Sequence, residues 1–292
     1  MNLFRHFFDR ASLDHAYSPS RFVPDISFYV REYESRSAAI RDTLGNCQTL
    51  QYGPDPAERL DLFLAPSASG ACDTVVYIHG GYWQELSKDH HSFPAQALNA
   101  AGLNFAALGY GLAPALKPAD MVRQCQAALH WLVNRSEALS IAPRLHLIGH
   151  SAGGQLAAMV TLEDRRLASR RALPICSVTT ISGVFDLRPI ALTYVNDVLR
   201  MSDEEALLAS PVLRVDLVQG ELPRFWVAYA EREPAEFARQ SLEFADALRL
   251  KGAEVAVSCI SGRNHFDIVL DLSDPDSAFL QAALRHIGRH AG

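Results

Sequence analysis

The sixteen residues from Leu145 to Val160 restrict the fold more than any other stretch of the chain. Leu145-His146-Leu147-Ile148 leads into Gly149-His150-Ser151-Ala152-Gly153-Gly154, and Gln155-Leu156-Ala157-Ala158-Met159-Val160 follows. The order reads as a buried strand, a tight turn and an alanine-rich helix. A serine framed as G-x-S-x-G suits such a turn, because the glycines carry no Cβ to strike the neighbouring strand and helix. Ser151 is therefore a candidate nucleophile raised above the sheet edge. The helix start behind it offers partial positive charge and the backbone N–H of Ala152, both suited to a developing oxyanion. His150 reads as a packing or surface residue of the turn, with no part in the chemistry.

The rest of the chain keeps the same rhythm of short apolar runs and longer helical patterns. Thr49–Tyr52 and Leu60–Ala65, separated by Pro54, Asp55 and Pro56, read as an antiparallel entry hairpin. Thr74–His79, Leu103–Leu108, Leu145–Gly149, Val178–Ser182, Phe225–Tyr229 and Glu254–Ile260 are mostly continuous apolar runs, as expected of strands covered on both faces. Ala119–Ser136 and Ala235–Leu250 read as helices, the second with Phe237, Ser241, Phe244 and Leu248 on one face and Gly252 as its stop. About 40 residues separate the runs ending at Ser182 and starting at Phe225, more than a crossover needs. Within them Ser202 to Glu205 forms an S-x-x-E capping box, opening a short helix through Leu208. The expectation is an α/β fold in one domain, 1–292, with a mostly parallel central sheet of about eight strands flanked by helices and a small cap insertion at about 184–222.

Composition narrows the partners. With 292 residues, 49% hydrophobic and 21% charged, the chain can bury a large core, and a formal charge of −6 without a basic stripe argues against nucleic acid. The five cysteines are odd in number, widely spaced and without C-x-x-C, which fits a reducing compartment better than a disulfide framework or a zinc site. Met1 to Asp14 lacks the continuous apolar stretch of a signal peptide, and no window approaches the roughly 20 apolar residues of a membrane span. A cytoplasmic protein acting on a small molecule is expected, with no membrane association and with a homodimer left open.

Two further segments carry chemistry. Thr74–His79 runs into His79-Gly80-Gly81-Tyr82-Trp83, where consecutive glycines let backbone N–H groups approach a reacting carbonyl oxygen. Gly80, Gly81 and Ala152 are the candidate oxyanion donors. A general base belongs on a loop after the last strand, and His265 in Gly262-Arg263-Asn264-His265-Phe266-Asp267 sits there. The other histidines fit less well: His79 lies in the glycine loop, His90 and His91 lie upstream of the serine, and His286 and His290 fall on the terminal helix. The acid that orients the imidazole should leave the end of the Phe225 strand, at Tyr229-Ala230-Glu231-Arg232-Glu233-Pro234-Ala235-Glu236. Glu236 belongs to the following helix, since Pro234 suits an early helix position. Glu233 is preferred, with Glu231, nearer the strand, as the alternative.

Taken together these segments resemble the kynurenine formamidase, or arylformamidase, branch of the hormone-sensitive-lipase-like α/β-hydrolases. His79-Gly80-Gly81-Tyr82-Trp83-Gln84 with Ser87-Lys88-Asp89 is similar to that family's extended oxyanion segment. So are Tyr17-Ser18-Pro19 to Val23-Pro24-Asp25, Gly183-Val184-Phe185-Asp186-Leu187-Arg188-Pro189 and Glu236-Phe237-Ala238-Arg239-Gln240-Ser241, so the likeness spans nearly the whole chain. It implies Glu233 as acid and His265 as base, although the family position is often aspartate. It further implies a serine hydrolase that cleaves a small amide or ester through an acyl-enzyme. An N-formyl aryl amide is the first expectation, a short-chain or aryl ester the alternative, and a non-catalytic binding protein the third. No metal or organic cofactor is called for; a metal hydrolase motif such as H-E-x-x-H is absent from the sequence. Tyr82 and Trp83 are expected to touch substrate, with Tyr110, Phe185 and Tyr194 as further candidates for an aromatic wall.

Overall fold

In a computed structural model, which describes residues 2–66, 71–167 and 172–288, the apolar runs assemble into one eight-stranded sheet. The strands are β1 (Cys47–Gln51), β2 (Arg59–Phe63), β3 (Thr74–Ile78), β4 (Asn104–Leu108), β5 (Leu145–His150), β6 (Ile175–Ile181), β7 (Arg224–Arg232) and β8 (Val255–Asn264). Their order is β1-β2-β4-β3-β5-β6-β7-β8. β2 runs antiparallel to both β1 and β4, and every other pairing is parallel. The expected entry hairpin is thus present, with Cys47 opposite Phe63 and Gln51 opposite Arg59.

Helices cover both faces, and this explains the unbroken apolar runs: β3, β4 and β5 are buried at every position. Successive side chains point to opposite faces. Val76 and Ile78 enter one core with Met121 and Leu129 of α4 (Pro118–Asn134), Leu156 of α5 (Ala152–Leu167) and Phe244 of α8 (Ala235–Leu250). Val75 and Tyr77 enter the other, with Tyr33 of α2 (Ile26–Leu44), Leu98 of α3 (Ala95–Ala100) and Leu280 of α9 (Ala278–Ile287). α8 has the bounds expected of it, Ala235–Leu250, and Gly252 two residues on, with φ of 89° and its N–H on the Arg249 carbonyl, provides the stop.

Between β6 and β7 the chain makes only short helical pieces, including α6 (Asn196–Leu199) and α7 (Asp203–Leu208). α7 carries the Ser202–Glu205 capping box in both directions. The N-terminal part adds a cover that the sequence reading did not foresee, with α2 bringing Ile26, Val30 and Tyr33 beside Ser151 and His265, and α1 (Arg10–Ala16) bonded through Arg10 and Asp14 to Asp197 and Tyr194. Tyr17 ties this part down: its buried hydroxyl donates to Glu236 on α8 at 2.7 Å and accepts from Gln240 at 2.8 Å. β7 and β8 run past their expected ends, to Arg232 and Asn264. Among the described residues no helix is long and apolar enough to cross a membrane.

Candidate active site

Ser151 sits between the end of β5 and the start of α5 with φ 54°, a left-handed conformation that non-glycine residues rarely adopt and that is held only where the surroundings dictate it. Its N–H donates to Ile181 at 2.8 Å and its carbonyl accepts from Gly154 at 2.9 Å. The flanking glycines are required by space: a Cβ on Gly149 would stand 2.2 Å from the Gly153 carbonyl oxygen, and one on Gly153 would stand 2.0 Å from that of Ile78. His150 is a buried brace. Its Nε2 donates to the backbone carbonyl of His265 at 2.8 Å, which fixes the proton on that nitrogen and ties the turn to the loop bearing His265.

His265 follows directly on β8. The Asn264 side chain shapes the bend, accepting from the N–H groups of Phe266 and Asp267. The imidazole Nε2 lies 3.1 Å from the Ser151 hydroxyl and Nδ1 lies 2.7 Å from a Glu233 carboxylate oxygen. With Nδ1–H donating to the carboxylate, the Nε2 lone pair is left to accept from the serine. The other oxygen of Glu233 accepts from the Ala230 N–H at 3.0 Å. Burial pushes the His265 imidazole well below its ordinary value, so the ring rests neutral. Burial pushes the Glu233 carboxyl upward, while the hydrogen bond from the Ala230 amide favours its charged form.

The choice between the two glutamates follows from strand direction. Glu231 is still within β7 and points away from His265, its exposed carboxylate accepting from the N–H of Gly262 at 2.7 Å. Glu233 lies two residues on, past the strand end, where the chain turns toward the site. Glu236 is engaged by Tyr17 and Arg239.

The glycine loop comes up against Ser151. A Cβ on Gly80 would stand 3.0 Å from the Cβ of Ser151, and Gly81 has φ 98° with the Glu85 carbonyl oxygen 2.2 Å from where its Cβ would be. Tyr82, Trp83 and Leu86 have φ of 49°, 62° and 68°. Among the described residues the N–H groups of Gly80, Gly81 and Ala152 donate to no backbone carbonyl.

A cavity of about 340 Å³ opens over Ser151 and His265. Tyr82 and Tyr194 line it, as do Tyr33 and Phe266. Trp83, expected to touch substrate, is not among the residues lining the cavity: it is fully buried, with its indole N–H on Gln155 at 3.0 Å. Phe185 and Tyr110 are also interior residues, the first stacked on Phe244 at 4.2 Å and the second bonded to the His79 carbonyl. The sequence reading missed Pro19, Ile26, Val30 and Tyr33 from the N-terminal cover. Their only sequence signal is the apolar i, i+4, i+7 spacing at the start of α2. A second cavity, of about 400 Å³ between α4, α5 and α7, contains none of Ser151, His265 and Glu233. His290 lies outside the described residues.

A serine on a strained strand-to-helix turn, above the carboxyl ends of a mostly parallel sheet and linked through a histidine to an acid, defines a serine hydrolase of the α/β-hydrolase type. A family model for the alpha/beta hydrolase fold matches residues 75–268, and the chain belongs to that family. It is 34% identical over 289 residues to kynurenine formamidase of Danio rerio, covering 95% of this chain and 96% of the relative. The enzyme of the same name from Salmo salar is 33% identical over 263 residues, 89% of this chain and 87% of the relative. Among solved structures, a Silicibacter protein described as a thioesterase superposes with a TM-score of 0.78 at 26% identity, covering 92% of this chain and 97% of that one. The chain is a hydrolase of the formamidase or esterase type.

Proposed function

We propose that this hydrolase cleaves an N-formyl aryl amide through a formyl-enzyme, with Ser151 as nucleophile, His265 as general base and Glu233 as the acid that orients it. The observation that carries the reading is the relay from Ser151 to His265 to Glu233, at 3.1 and 2.7 Å, under a cavity walled by aromatic rings. The names of the fish relatives supply the formamide.

In the proposed cycle, His265 takes the serine proton as the hydroxyl oxygen attacks the formyl carbon. The amides of Gly80, Gly81 and Ala152 receive the oxyanion, each such donor contributing about 2.7–4 kcal/mol in the transition state. Glu233 stabilises the imidazolium. The C–N bond then breaks and His265 returns its proton to the arylamine. Water, activated by the same imidazole, attacks the formyl ester and releases formate and free Ser151. A small acyl group suits the site, because the Gly80 backbone packs directly on Ser151. The action is on a small molecule in a reducing, cytoplasmic setting, in keeping with the scattered odd cysteines.

The test is kcat/KM on N-formylkynurenine and on p-nitrophenyl acetate with one preparation, together with labelling by a fluorophosphonate probe. Labelling that disappears in Ser151→Ala, with formamide turnover well above the ester, supports the reading. Ester turnover with background formamide turnover makes the protein a carboxylesterase; no labelling removes the serine mechanism altogether.

A further inference from the structure

Among the described residues, the cavity over Ser151 is lined mainly by aliphatic and aromatic side chains, its single charged side chain is Glu85, and neither lysine nor arginine lines it. The Glu85 carboxylate is exposed and has no ion-pair or hydrogen-bond partner among the described residues. Its backbone is fixed by contrast. The Glu85 N–H donates to the Gly81 carbonyl at 3.0 Å, in the loop that holds Tyr82, Trp83 and Leu86 at positive φ. Such strain persists only where the surroundings over-determine it, so the Glu85 side chain starts from a fixed stretch of backbone packed on Gly81. Gln84, next to it on the same wall, spends its amide N–H on the Val195 carbonyl at 2.9 Å, leaving its side-chain oxygen as a second acceptor. Tyr82 and Tyr194 add ring faces, which also attract cations.

A carboxylate, an amide oxygen and aromatic faces without any basic partner complement an ammonium group on an aromatic substrate and repel a bare carboxylate. We infer that Glu85 is a specificity residue that receives the ammonium group of an amino-bearing aryl amide and disfavours anionic aryl amides. The inference rests on the formamidase reading above.

It is tested with the full chain and its Glu85→Gln and Glu85→Lys variants on four formamides. These are N-formylkynurenine, the same compound acetylated at its α-amino group, N-formylanthranilate, which carries a carboxylate and no ammonium, and uncharged formanilide as the internal reference. In the parent protein kcat/KM relative to formanilide is expected to fall by about fivefold on acetylation, the scale of an exposed ion pair. Glu85→Gln should abolish that difference, with the change residing in KM, and Glu85→Lys should raise the ratio of N-formylanthranilate to formanilide. Equal use of the acetylated and free amines by the parent protein overturns the inference. So does a Glu85→Gln variant that still distinguishes them, or one that loses all four substrates in proportion. Failure of the parent protein to turn over any formamide, formanilide included, is the separate signature of a wrong formamidase reading.

Discussion

The indole N–H of Trp83 donates to the side-chain oxygen of Gln155 at 3.0 Å in the interior of the protein. Trp83 ends the glycine loop and Gln155 lies in the first turn of the nucleophile helix, so this bond clamps the proposed oxyanion donors to the serine. Gln155 continues the connection by donating to the Ala209 carbonyl at 2.9 Å. Trp83→Phe leaves the Gln155 oxygen buried and unpaired, at a cost of about 1–3 kcal/mol. Urea unfolding should report that loss. kcat should fall more than KM rises, because the clamp aligns the donors rather than the aromatic wall.

Glu233 and Glu231 are two residues apart and have opposite environments. Glu233 is buried on His265, whereas Glu231 is exposed on the β7–β8 edge. Glu233→Gln should lower kcat/KM by about 10⁴-fold, as loss of the acid's charge allows the wrong imidazole tautomer. Glu231→Gln should leave kcat/KM within about twofold, as for other surface changes away from the chemistry. Steady-state kinetics of the two variants on one substrate decides the assignment, and the reverse ranking would overturn it.

Acidification should act on folding before it acts on a titrating base. As the proposed base, His265 acts only when neutral, and burial lowers its value. The kcat/KM profile should therefore stay flat through pH 6.5, the ordinary histidine value. His79, His91, His146 and His150 are buried as well and are likewise pushed down by burial, His79 and His146 to about 4. Lowered folded-state values mean that the unfolded chain binds more protons below about pH 6.5. The stabilisation is thus complete above that pH and is lost as pH falls toward 4. Each such histidine contributes a slope of about 1.4 kcal/mol per pH unit in that window. Urea midpoints should drop between pH 7 and 5, and activity should disappear together with the circular dichroism signal. A reversible activity loss centred near 6.5 in folded protein would contradict this.

Gly153→Ala places a methyl carbon 2.0 Å from the Ile78 carbonyl oxygen, on backbone that belongs to the central strand β3. No rotamer relieves that contact. The variant should be destabilised by at least about 3 kcal/mol, in the range of severe overpacking, and should express mainly as insoluble protein. Gly252→Ala is the control: nothing lies within 4 Å of its added Cβ, but φ is 89°. Its cost should be only about 1 kcal/mol, the left-handed penalty, measured by thermal unfolding.

The sheet, its helices and the nucleophile turn were legible in the sequence because each depends on neighbours in the chain. Continuous apolar runs mean strands buried on both faces, and glycines two residues either side of Ser151 are needed for the sharp turn. His265 was legible through its place after the last strand, and Gly80 and Gly81 through the strand that feeds them. The acid was not decided by pattern alone. Glu231 and Glu233 differ by the point at which β7 stops pairing, and that point is set by β8, far away in sequence. The pocket wall depended still more on tertiary contacts. An apolar aromatic beside the glycine loop reads the same whether it faces ligand or core, yet Tyr82 lines the cavity while Trp83 turns inward to Gln155. The N-terminal cover takes its position from Tyr17, whose buried partners Glu236 and Gln240 lie more than 200 residues on. Local spacing thus determined the candidate nucleophile and its scaffold, while long-range pairing and burial decided which carboxylate reaches the histidine and which side chains line the cavity over Ser151.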